Sequence, residues 1–113
     1  MKTKNHFEIR GFVGADPEVK TLDGGKKVVN LRIATNEILS SKKSEEKKTL
    51  THWHSVILWN GTAEFAGKYV KKGALVSIEG RIVPRSYEKD GQTRYTVDLV
   101  ADSLDIILNK EKE

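Results

Sequence analysis

The chain has 113 residues, 37% hydrophobic and 32% charged, which allows one domain with a modest core under a strongly solvated surface. It contains no cysteine, which excludes a disulfide framework, a thiolate metal site and a cysteine nucleophile. Its 20 Lys plus Arg against 16 Asp plus Glu give a formal charge of +4, a balance that permits a polyanionic partner without requiring one.

Residues 7–13 read as a first strand, with Phe7, Ile9, Gly11 and Val13 alternating against His6, Glu8, Arg10 and Phe12. Gly11 and Gly14 mark a bend, Ala15-Asp16-Pro17 breaks the run, and residues 18–22 are expected as a bent edge. Asp23-Gly24-Gly25 is a turn signal. A second strand follows, in which Val29, Leu31 and Ile33 alternate with Val28, Asn30, Arg32 and Ala34. Residues 40–51 are polar and charge-rich and predict a loop; Lys42, Lys43, Lys47 and Lys48 lie in it, where such a run is ordinarily just solvated. Residues 52–59 predict a third strand, which puts Trp53, Ser55, Ile57 and Trp59 on one face.

Asn60-Gly61 ends that strand, and Thr62 is expected to cap a helix over 63–70. Ala63, Ala66 and Val70 follow helical spacing, Phe65 and Tyr69 lie four apart, and Lys71-Lys72-Gly73 is a stop signal. Residues 75–83 predict a fourth strand, and Pro84 suits an exposed continuation of it. Residues 85–95 read as a hairpin arm turning at Asp90-Gly91; a last strand runs from Tyr95, Val97 and Leu99 to Leu104, Ile106 and Leu108. Three strands, a helix and two strands fit an all-β class with one short helix: a five-stranded antiparallel sheet closed into an OB-fold barrel over residues 1–108, followed by a short charged tail, 109–113. No run is long enough to span a bilayer and no apolar leader region opens the chain, so a soluble cytoplasmic protein is the expectation.

Catalysis finds no support, because neither a Gly-rich phosphate loop nor a His-Glu-x-x-His motif is present and Glu45-Glu46 sits in the charged run. His52 and His54 share a strand face at a spacing known from zinc sites, but only His6 and scattered acids are available as further ligands, which favours structural histidines and no metal or other cofactor. Aromatics on one sheet face near basic residues suit single-stranded nucleic acid, whose bases stack and whose phosphates need neutralising. Trp53 and Trp59 fit that role, although large strand aromatics are equally at home in a core. Tyr87 lies on the polar arm beside Arg85 and Lys89, where stacking is the favoured reading, whereas Tyr69 and Tyr95 are expected to be structural and Phe12 fits either role. Arg32, Arg85 and Arg94 are the favoured phosphate or base partners, with Lys42, Lys43, Lys47 and Lys48 adding diffuse attraction.

The sequence resembles bacterial single-stranded DNA-binding proteins from Asn5 to Leu108. The likeness rests on Gly11-Phe12-Val13-Gly14-Ala15-Asp16-Pro17-Glu18-Val19, Ala34-Thr35-Asn36-Glu37, Thr51-His52-Trp53-His54-Ser55-Val56, Ala66-Gly67-Lys68-Tyr69-Val70-Lys71-Lys72-Gly73, Val76-Ser77-Ile78-Glu79-Gly80-Arg81 and Asp90-Gly91-Gln92-Thr93-Arg94-Tyr95-Thr96. Each stretch alone is weak, and together, in the family's order, they are specific. The resemblance implies a non-enzymatic, nucleoid-associated protein that coats unpaired DNA during replication, recombination and repair as a homotetramer of barrels. It assigns three stacking positions to Trp53, Trp59 and Tyr87, places a fourth at or near Leu39, where some relatives carry tryptophan, and sets His54 near a subunit contact. Relatives also end in a linker and an acidic, apolar tip that recruits replication or repair proteins, whereas this sequence ends at Lys110-Glu111-Lys112-Glu113. A primosomal-type adaptor working mainly through protein contacts is the alternative; an oligosaccharide-binding barrel fits the aromatic and basic pattern less well.

Overall fold

Alternation along the strands is the source of the interior. In the computed structural model, which describes residues 2–40 and 47–109, Val29, Leu31 and Ile33 of β3 (Lys27–Ser40), Val56 and Leu58 of β4 (Lys47–Trp59) and Val76 and Ile78 of β5 (Leu75–Lys89) are all sealed from solvent. These β-branched and leucine side chains point the same way because successive strand residues alternate sides. Val13 at the end of β1 (Phe7–Val13) and Ala101 and Leu104 of β6 (Gln92–Leu108) complete the lining.

The strands run in the order β1-β5-β6-β4-β3, and β1 pairs back onto β3, so the sheet closes into a five-stranded barrel. A two-residue strand, β2 (Lys20–Thr21), adds to the outer edge of β3. The expectation of a wholly antiparallel barrel is corrected at one seam: β4 and β6 meet in parallel, through Val56 opposite Leu99 and Ile57 opposite Val100. Where β6 passes Gly80 the register slips, with Ser103 opposite Glu79 and Ala101 opposite Gly80, so Asp102 is the extra residue of a bulge. Arg81 pairs with the Asp102 carboxylate at that point.

Helix α1 (Asn60–Tyr69) seals one end of the barrel with Ala63 and Ala66, both fully buried. It begins before the predicted Thr62 cap: Trp59 is the boundary residue, and no side chain caps the helix. Asn60 uses its side-chain oxygen elsewhere, accepting the Lys27 amide at 3.2 Å. Past the helix, the Lys72 amide donates to Asp16 Oδ1 at 2.7 Å and the Gly73 amide to the Val13 carbonyl at 2.8 Å, so the Ala15-Asp16-Pro17 break is tied to the loop entering β5.

Two hairpins outrun the barrel. The described residues of the predicted 40–51 loop are strand: β3 runs to Ser40 and β4 starts at Lys47, paired residue by residue, with Thr51 Oγ1 donating to Asn36 Oδ1 at 2.8 Å. A two-stranded arm is exposed on both faces, so its sequence lacks the apolar alternation that marks a strand. Lys42 and Lys43 lie outside the described residues. The second arm, β5–β6, continues through Pro84 to an Asp90-Gly91 turn with φ of 53° and 76°, the pattern of a type I′ hairpin. The radius of gyration of 16.9 Å exceeds the roughly 13 Å expected of a rounded chain of this size, as projecting arms require. Among the described residues no helix is long and apolar enough to cross a membrane.

Candidate nucleic-acid interface

With Val56 and Leu58 turned inward, Trp53, Ser55, Ile57 and Trp59 face outward on β4. Trp53 is 51% exposed and Trp59 38%, so neither ring belongs to the core. Six strand residues separate the two by about 20 Å, which makes them two separate platforms and not one clamp. Their neighbours on β3 follow from the ladder: Ala34 opposite Trp53, Arg32 opposite Ser55, Asn30 opposite Ile57 and Val28 opposite Trp59. The Arg32 guanidinium lies 5.0 Å from the Trp53 ring centroid, within cation–π range.

Trp53 is held in place by a residue 39 positions earlier. The Gly14 amide donates to the Arg32 carbonyl at 2.9 Å, which brings the backbone after β1 against the indole. A β-carbon at position 14 would overlap Trp53 Cζ3 and Cη2. Only glycine therefore leaves the ring where it stands, with Arg32 beside it.

On the β5–β6 arm, Tyr87 is 43% exposed and directly opposite Arg94. The Arg85 guanidinium lies 5.6 Å from the Tyr87 ring centroid, and its Nε and Nη2 donate to the two carboxylate oxygens of Asp98 at 2.9 and 3.3 Å. Hydrogen bonding to Asp98, reinforced by its charge, raises the Arg85 pKa above the ordinary arginine value, so this group is a permanent cation. That pairing also occupies part of its donor fork. Arg32 and Arg94, by contrast, make no ion pair among the described residues.

The β3–β4 arm distributes its side chains unevenly. The ladder puts Lys47 and Ile38 on the same side as Trp53, whereas Leu39 and Lys48 face one another on the reverse side. Leu39 and Ile38 are both exposed, and neither is aromatic.

The two tyrosines expected to be structural are not. Tyr95 is 83% exposed, because the arm has no third layer against which its reverse face can pack. Tyr69 turns outward from α1 against Phe65, ring centroids 5.1 Å apart, since Ala63 and Ala66 occupy the inner face. Sequence reasoning also left Phe12 open; it is 46% exposed on the outer face of β1, and its signal is the alternation that buries Gly11 and Val13.

The histidines engage different partners. His54 Nε2 lies 2.8 Å from Thr35 Oγ1 and His52 Nε2 lies 3.1 Å from Glu37 Oε2. His6 instead joins Glu8 and Glu79, with donor atoms within 4.8 Å of one another, on exposed surface.

Residues 4–107 match the single-strand binding protein family. Among solved structures, the Plasmodium falciparum SSB in complex with ssDNA is 27% identical, with a TM-score of 0.77 over 97% of this chain and 98% of that one. The wild-type single-stranded DNA binding protein from Thermus aquaticus is 28% identical, with a TM-score of 0.78 over 92% of this chain, which spans 50% of that longer chain. A deletion mutant of the Thermus aquaticus protein matches at 27% identity and a TM-score of 0.78 with the same coverage. On the family match along nearly its whole length, and on a barrel shared with these structures, the chain belongs to the single-strand binding protein family.

Proposed function

We propose that the protein binds single-stranded DNA with little sequence preference, by stacking bases on exposed rings and neutralising phosphates with neighbouring cations. The observation that carries this is Trp53: half exposed on a rigid strand, fixed by Gly14 and flanked by Arg32. Trp53, Trp59 and Tyr87 are the platforms. Arg32 and Arg94 are the leading phosphate or base partners, Arg85 orients Tyr87 while its fork is shared with Asp98, and Lys42, Lys43, Lys47 and Lys48 add long-range attraction. A base on an aromatic face contributes about 1–3 kcal/mol, so two or three platforms suffice once phosphates are paired.

In this reading the protein acts by binding, without turnover and without a cofactor. It coats unpaired DNA during replication, recombination and repair as a homo-oligomer, a tetramer by the family likeness, in the nucleoid of the cytoplasm, where replication or repair proteins are further partners. Oligo(dT) should quench the intrinsic tryptophan fluorescence at low salt, and added salt should reverse the quenching. An unchanged emission at low salt with saturating oligo(dT) removes the proposal. Trp53→Ala should weaken binding about 5- to 150-fold, the stacking energy of one base, as read by anisotropy of a labelled oligonucleotide.

A further inference from the structure

We propose that Phe12 is a further base-stacking residue, which extends the Trp53 platform across the barrel onto β1; the inference rests on the DNA-binding reading above. The ladder sets three residues in one row: Phe12 opposite Ala34, and Ala34 opposite Trp53. Neighbouring strands lie about 4.8 Å apart, so the two aromatic positions are separated by about 10 Å, with only a methyl group between them. Ala34 is 8% exposed although its side chain points outward, while Phe12 and Trp53 on either side keep about half of their surface open. The two aromatic positions flank the alanine, and the three side by side form one apolar floor on the outer face.

Phe12 is also rigidly placed. It pairs with Ala34 on one side and Leu75 on the other, and the next two amides are fixed, Val13 to the Ala74 carbonyl at 2.9 Å and Gly14 to the Arg32 carbonyl. A platform that is already ordered costs little entropy when a base lands on it. Cations flank both ends of the floor: Arg10, two residues back on the same exposed side of β1, and Arg32 at Trp53. The occupant is thus the nucleotide next to the one on Trp53, its base on Phe12 and its phosphate toward Arg10.

The test is anisotropy titration of a labelled oligo(dT) with the full chain, the Phe12→Leu, Phe12→Tyr and Trp53→Ala variants, alongside light scattering. Leucine keeps apolar bulk and removes the π face; tyrosine keeps the face. Phe12→Leu should bind about fivefold or more weakly, with an unaltered dependence on salt because no charge is lost, and Phe12→Tyr should bind within about twofold of the parent. The inference is overturned if Phe12→Leu binds like the parent while Trp53→Ala is weakened. It is equally overturned if tyrosine fails as leucine does, or if Phe12→Leu changes the scattered mass, which would make Phe12 a contact between copies. If neither Phe12→Leu nor Trp53→Ala alters affinity, the DNA-binding reading of this face fails instead.

Discussion

A glycine decides where the central tryptophan stands. The Gly14 backbone lies against Trp53, and any β-carbon there would collide with the indole. Gly14→Val should displace the ring and weaken oligo(dT) binding, whereas the same substitution on a Trp53→Ala background should cost little more. That non-additivity, measured as a double-mutant cycle in anisotropy, separates ring placement from general damage to the fold. Strand alternation puts Trp53 and Trp59 on one face without saying whether that face is covered; the burial of Val56 and Leu58 is what turns it outward. Gly14 was not legible as the support of Trp53, because 39 residues of sequence separate the two and only barrel closure brings them together. Tyr69 and Tyr95 were misjudged for a related reason: helical spacing or strand membership says which face a ring shares, not whether another layer covers that face.

The arms are the elements that differ most from their sequence signature. Both are two-stranded and open on two sides, so turn chemistry marked the Asp90-Gly91 hairpin, while nothing in residues 47–51 announced a strand. On the β5–β6 arm, Asp98 sits across from Val83 and holds Arg85 through two hydrogen bonds. Asp98→Asn removes the charge that competes with phosphate for that guanidinium. Oligo(dT) binding should then tighten, and the slope of log K against log salt should steepen by about 0.7 for one additional neutralised phosphate. Arg94→Gln should make the slope shallower by a similar amount and weaken binding. Identical slopes in all three proteins would mean that neither arginine meets a phosphate.

Across the whole molecule, the barrel keeps binding and stability apart. The interior is made of inward residues of β1, β3, β4, β5 and β6 closed by α1, and the candidate interface of outward residues of the same strands and of the β5–β6 arm. Leu58→Ala, one position from Trp59 but fully buried, should lower stability to urea by about 2–5 kcal/mol and leave the affinity of the folded protein near that of the parent. The apolar alternation that builds this interior was readable in β1, β3 and β5, whereas in β6 the expected Tyr95 and Val97 are exposed and Val100 and Ala101 are buried instead. The parallel β4–β6 seam was not readable, since two residue pairs leave no periodic trace.

The bulge at Asp102 sets where the arm points. A bulge bends its strand and adds twist, and this one stands at Gly80, where β5 parts from β1, while β6 still meets β4 at Leu99 and Val100 on the arm side of it. Excising Asp102 would restore an uninterrupted ladder from Val76 to Lys89 with Arg94 still facing Tyr87, and would sacrifice a solvent-exposed ion pair with Arg81. The pivot would straighten, and Tyr87 would swing to a new bearing relative to the tryptophans. Short oligonucleotides that reach a single ring should then bind as before, while longer ones that span barrel and arm should lose their advantage.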